Sequence, residues 1–159
     1  EVPELTALNA TTSSHLSTLK SNWSHEFSIT GERDSVPVEF RTAIHDRIYG
    51  CDDCQDVCPI SVRLGPRNTL PLPDEVGAWV DALEVLVRPD EWIERRYGRW
   101  YIAGRDFDVV RRNALIVVGN VGDPGNDRVR ATVERYREHD NPVLVEHADW
   151  AAERLHERS

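Results

Sequence analysis

The chain has 159 residues, 40% of them hydrophobic, which suits one domain with a real core or one domain carrying an appended motif. Nineteen basic against 28 acidic residues leave a formal net charge of −9, and this alone disfavours a polyanionic partner. No run approaches the roughly 18 apolar residues of a membrane span, and the opening Glu1-Val2-Pro3-Glu4-Leu5 has neither the basic end nor the apolar stretch of a secretory signal, so a soluble, cytoplasmic monomer with reduced thiols is expected.

Residues 1–35 are mostly polar and rich in Ser and Thr, with a short apolar start at Val2, Leu5 and Leu8, and read as loop and weak structure. Pro37 then stands where a first-turn helix proline belongs, and Phe40, Ile44 and Ile48 recur at fourfold spacing. That pattern predicts an amphipathic helix over 37–48, ending near Gly50.

This helix delivers the run Gly50-Cys51-Asp52-Asp53-Cys54-Gln55-Asp56-Val57-Cys58-Pro59, which holds all three cysteines of the chain within eight residues. Thiolates spaced in this way can turn inward from one tight loop onto a metal centre, and the proline after the last keeps helix from continuing over it. Cys51, Cys54 and Cys58 are therefore candidate ligands of an iron–sulfur cluster. A zinc site completed by a histidine and three inert thiols are the alternatives. A disulfide scaffold fits poorly, because stabilising bridges close long loops and these could close only short ones.

Residues 59–74, with Pro59, Pro66, Pro71 and Pro73 and no clean period, read as an extended linker. From Asp74 the pattern turns helical. Val76, Trp79, Val80, Leu83 and Leu86 form an apolar stripe, with Asp74 and Glu75 at its start. Pro89-Asp90-Glu91 opens a short helix through Tyr97. Between Arg95 and Arg112 lie six arginines, with Arg105 among them, against Asp106 and Asp108, a local balance of +4. Arg95, Arg96, Arg99, Arg111 and Arg112 are candidate phosphate contacts, with Tyr97 and Trp100 as stacking surfaces; a solvated, salt-bridged face is the plain alternative.

Phe107, Val110, Ala114, Leu115 and Val118 mark the next helix, which should stop at Gly119-Asn120; Val129, Val133 and Tyr136 mark another; Pro142 opens the last, carried by Val143 through Leu155. Three helices joined by short turns suggest a HEAT-like array. Trp150 reads as core rather than cofactor contact. The six histidines show no metal-ligand pairing, so surface or capping roles are expected for each, with His45 nearest the cysteine loop.

The stretch from Val36 to Pro59, above all Asp46-Arg47-Ile48-Tyr49-Gly50 running into the cysteines, resembles the second cluster-binding segment of the epoxyqueuosine reductases. Arg112-Asn113-Ala114-Leu115 with Gly119-Asn120, and Glu146-His147-Ala148-Asp149-Trp150-Ala151, resemble that family's carboxy-terminal helices. The resemblance implies a mainly α fold: a partial ferredoxin-like segment over 1–60, a linker over 61–73 and a HEAT-like helical domain over 74–159. It also implies a role in queuosine synthesis, with electrons passed through four-iron four-sulfur clusters to a cobalamin and the tRNA anticodon region held by the helices.

Carried over by position, the resemblance gives Cys51 and Cys54 to one cluster and Cys58 to the other, and places Ser13 where the family has a further cysteine. The ligand set is thus incomplete, and no residue here matches the cobalamin domain. A carboxy-terminal portion of such a reductase, inactive as an isolated chain, is the expectation. The alternative is a non-enzymatic RNA- or protein-binding helical module with a vestigial or zinc-binding cysteine loop.

Overall fold

The computed structural model describes residues 33–50, 58–64 and 79–159, and every regular element among them is helical. Helix α1 spans Val38–Ile44, with Pro37 as its N-cap. It is shorter than the 37–48 that the spacing predicts, because His45 takes a left-handed φ of 56°. That conformation is uncommon for a non-glycine residue and ends the helix. Ile48 is still buried, at 6% exposure, but reaches the core from irregular chain.

Helix α2 spans Pro59–Leu64, where extended linker was expected. A proline at the first helical position lacks only an N–H that would be unpaired there anyway, so Pro59 starts this helix rather than preventing one. Cys51, Cys54, Ser13 and the rest of the linker lie outside the described residues, as do Asp74, Glu75 and Val76.

Helix α3 spans Ala82–Val87. Its N-cap is Asp81, whose Oδ1 accepts from the amides of Leu83 at 2.8 Å and Glu84 at 3.2 Å. Trp79, expected in the apolar stripe, precedes the helix and is 87% exposed. Helix α4 spans Asp90–Tyr97 and buries Ile93 and Tyr97, starting at Pro89 as predicted. A 3-10 turn at Ala103–Arg105 follows, with Gly104 at φ 61° and Arg105 at φ 57°.

Helix α5, Asp108–Val121, is the centre of the molecule, with ten of its fourteen residues buried. A helix buried on nearly every side needs partners all round, and α1, α3 and α7 supply them. Helix α6, Asp127–Arg137, and helix α7, Pro142–Glu157, follow their predicted stripes closely. Asn126 caps α6, and Asn141 caps α7 just before Pro142. Leu115, Ile116 and Leu144 are fully buried, each contributing roughly 1.5–3 kcal/mol by leaving water. Trp150 lies in the core as expected. No described helix is long and apolar enough to cross a membrane.

Candidate functional site

The segment leading into the cysteine run is held on α5 and α7 by buried polar side chains. On α5, Arg112 is wholly buried. Its Nη1 donates to the Asp34 carbonyl at 2.6 Å, while Nε and Nη2 donate to Asn113 Oδ1 at 3.1 and 2.9 Å. Asn113 Nδ2 in turn donates to the Ile48 carbonyl at 2.9 Å. About two turns further along, Asn120 Nδ2 donates to the carbonyls of Arg41 at 2.8 Å and His45 at 3.0 Å. Carbonyls at a helix end have no partner within the helix, so Asn120 serves the end of α1 from a neighbouring helix.

Helix α7 holds the other side. Arg41, 1% exposed, donates through Nε to the Val36 carbonyl at 2.8 Å and pairs with Glu146 through Nη2. Partial burial opposes ionisation of Glu146, but hydrogen bonds from Ser35 and Arg41 outweigh it and hold the carboxyl below its ordinary range. His147 is fully buried and accepts the Val36 amide on Nε2 at 3.2 Å. Its Nδ1 therefore carries the proton and donates to the Val143 carbonyl at 2.7 Å. Burial pushes the His147 pKa down to about 4, so the ring is neutral at pH 7. The surface or capping role expected for the histidines does not apply to this one.

The last residues before Cys51 are fixed from the opposite side. The Tyr49 ring stacks on Trp100 at 4.5 Å, Trp100 stacks on Tyr97 at 4.3 Å, and Tyr49 Oη accepts the Tyr101 amide at 2.7 Å. Tyr97 and Trp100, expected as stacking surfaces for a ligand, spend their faces on each other and on Tyr49. Gly50 follows at φ 63°, a conformation that favours glycine. Cys58, half-buried, stands directly before α2; Cys51 and Cys54 lie outside the described residues. Among the described residues no group of three His, Cys, Asp or Glu is placed to hold a metal ion.

The arginine cluster divides in two. Arg112 is buried on backbone and amide partners, as above. Arg111 has a side chain only 11% exposed and bridges Asp90 at 2.6 Å and Asp108 at 3.3 Å. Burial disfavours its charge, but Asp90 beside it more than offsets that. Neither guanidinium faces solvent here: Arg112 is buried, and Arg111 is turned onto Asp90 and Asp108. Arg105, counted in the basic balance, pairs with Glu94 at 2.6 Å. Arg95, Arg96 and Arg99 are exposed, and among the described residues no carboxylate pairs with them.

Sequence reasoning missed Arg41, Asn113, Asn120 and His147 as the residues that dock this segment. The available signal was polar residues set inside apolar stripes: Arg41 between Phe40 and Ile44, and Arg112-Asn113 between Val110 and Ala114.

No family model matches the chain. It is 33% identical over 138 residues to the epoxyqueuosine reductase of Salmonella typhimurium, covering 79% of the chain and 32% of that protein. With the Escherichia coli epoxyqueuosine reductase the identity is 32% over 136 residues, covering 78% of the chain and 32% of the relative. The fold matches a crystal structure of epoxyqueuosine reductase with an epoxyqueuosine-modified tRNA-Tyr stem loop at a TM-score of 0.65 and 24% identity, over 80% of this chain and 34% of that one. A structure of the Bacillus subtilis epoxyqueuosine reductase matches at a TM-score of 0.62 and 26% identity, again over 80% of this chain and 34% of that one. The chain spans about a third of the length of these relatives.

Proposed function

We propose, from the premise that the chain belongs to the epoxyqueuosine reductase family, that it is the part of such a reductase that carries a thiolate-held iron–sulfur centre and grips tRNA near the anticodon. The observation that carries this reading is the docking of residues 34–48 by Arg112, Asn113, Asn120, Glu146 and His147. The motif residues of the helical domain thus anchor the chain that leads into the cysteines, which makes the two parts one functional unit. This reading keeps a cluster-binding segment over 1–60, a linker over 61–73 and a helical domain over 74–159, with α2 running across the first boundary.

The donor chemistry suits the centre. Cys51, Cys54 and Cys58 are soft thiolates, and Cys58 sits half-buried against the start of α2. Such a cluster supplies one-electron transfer when bound. Three thiolates fall short of the four that a cubane cluster takes, so a further ligand must come from outside this cysteine run. Cobalamin has no assigned site among the described residues.

Anaerobic reconstitution with iron and sulfide is expected to load at most about four irons per chain, because two complete sites need eight thiolates. Serine at Cys51, Cys54 or Cys58 should abolish the charge-transfer absorption. Close to eight irons per chain would refute this stoichiometry, and one zinc without sulfide would favour the binding-module alternative.

For the RNA part, Arg95, Arg96 and Arg99 are exposed, and among the described residues no carboxylate pairs with them. A net charge of −9 repels RNA as it approaches, so binding should be measurable only at low ionic strength. Replacing all three by alanine is expected to flatten the slope of log affinity against log salt by about 2, at about 0.7 per contact to a single strand. Arg111→Ala should leave that slope alone, since Arg111 is turned onto Asp90. An unchanged slope in the triple variant would make this an ordinary solvated face.

A further inference from the structure

The geometry points to Asn113, oriented by Arg112, and Tyr49 as the positioning residues of the cysteine run: together they fix where the chain leaves the helical body before Cys51. This inference rests on the thiolate reading above and deepens it.

Arg112 commits two donors to Asn113 Oδ1, at 3.1 and 2.9 Å. The carboxamide can then face only one way, with Nδ2 toward the Ile48 carbonyl at 2.9 Å. That carbonyl belongs to the third residue before Cys51. From the outer side, the ring of the next residue, Tyr49, is stacked on Trp100 at 4.5 Å, and its Oη takes the Tyr101 amide at 2.7 Å. Ile48 and Tyr49 are thus both held, and Gly50 follows at φ 63°.

A buried arginine–amide pair inside an apolar helix is a costly way to fill space; its use is to specify one geometry. Removing a group bonded to a metal ligand typically changes retention about tenfold to a hundredfold, and Asn113 and Tyr49 act on the chain beside a ligand, so a smaller change is expected of them. The Asn113→Asp variant separates positioning from mere packing. It keeps the size of the side chain and its attraction to Arg112, but sets a carboxylate oxygen against the Ile48 carbonyl.

The test is anaerobic reconstitution of the chain with iron, sulfide and excess small thiol as outside ligand, followed by cluster loss to a chelator. Asn113→Asp is expected to lose the charge-transfer absorption up to about tenfold faster than the parent. Tyr49→Phe, which keeps the stack and removes the Oη acceptor, should lose it several-fold faster. Val133→Ala, a core change on α6 away from this segment, should retain the cluster like the parent in spite of a lower Tm. Parent-like retention in Asn113→Asp overturns the inference while leaving the thiolate reading intact, and absence of any cluster in the parent overturns both. Should Asn113→Asp not fold, Tyr49→Phe decides, and parent-like retention there overturns the inference.

Discussion

Between pH 7 and pH 4 the folded chain is expected to lose about 3 kcal/mol of stability that a His147→Gln variant does not lose. The imidazole is buried, and its pKa falls from 6.5 to about 4 on folding; each pH unit of that displacement corresponds to about 1.4 kcal/mol. The folded pKa is the lower one, so the unfolded chain takes up the proton first as the pH drops. Above pH 6.5 both states are neutral at this residue and it contributes no pH dependence. From 6.5 down to about 4 the unfolded state gains progressively, and below that the effect saturates.

The groups around the ring fit this direction. Arg41 and Arg112 both oppose a positive charge there, Glu146 favours it, and the Val143 carbonyl holds the one proton already present. A second proton on Nε2 would displace the Val36 amide, which Nε2 now accepts, and so loosen the segment ahead of α1. Denaturant unfolding of parent and variant across this range is the measurement. Glu146 also titrates in acid, but it does so in both proteins, so the difference between their curves belongs to His147. Parallel curves would show that the ring is not held neutral by burial.

Much of the helical frame was legible because its signals are local. Proline at the start of α4 and α7 and the stripes of α5, α6 and α7 each lie within one helix, where 3.6-residue periodicity places apolar side chains together. The cysteine spacing was legible for the same reason. What escaped depends on partners far along the chain. Arg112 looks like a surface charge until Asp34, 78 residues earlier, is brought to it. Asn120 looks like part of a helix stop until the end of α1 arrives beneath it. The early end of α1 rests on one left-handed φ at His45, for which histidine carries little sequence signal. Proline was read as a linker residue at position 59, where its chemistry serves equally well to begin a helix.

Gly119→Val is expected to be the most damaging single change in the helical body. The sequence suggests that Gly119-Asn120 stops the helix, yet α5 continues to Val121, and the glycine instead marks its close approach to α7. A Cβ at this position would lie 2.6 Å from Trp150 Cζ3 and 3.0 Å from the Cα of Ala151. The indole could give way, but the Ala151 contact is α7 backbone, so the helices themselves must part. Gly119→Ala gains about 1 kcal/mol in helix propensity against an overpacking cost of roughly 1–3 kcal/mol. Valine adds two methyl groups to the same clash, and a cost of about 3 kcal/mol or more is expected. At about 2–4 °C per kcal/mol for a chain of 150–250 residues, Tm should fall by at least about 6 °C. Separation of α5 from α7 would also pull Asn113 and Asn120 away from Glu146 and His147, the two sides of the clamp on residues 34–48. Cluster retention should therefore fall with Tm in this variant, whereas in Asn113→Asp it should fall largely on its own. A Gly119→Ala protein with a raised Tm would show that the helices have room to spare, and that the clamp does not depend on their spacing.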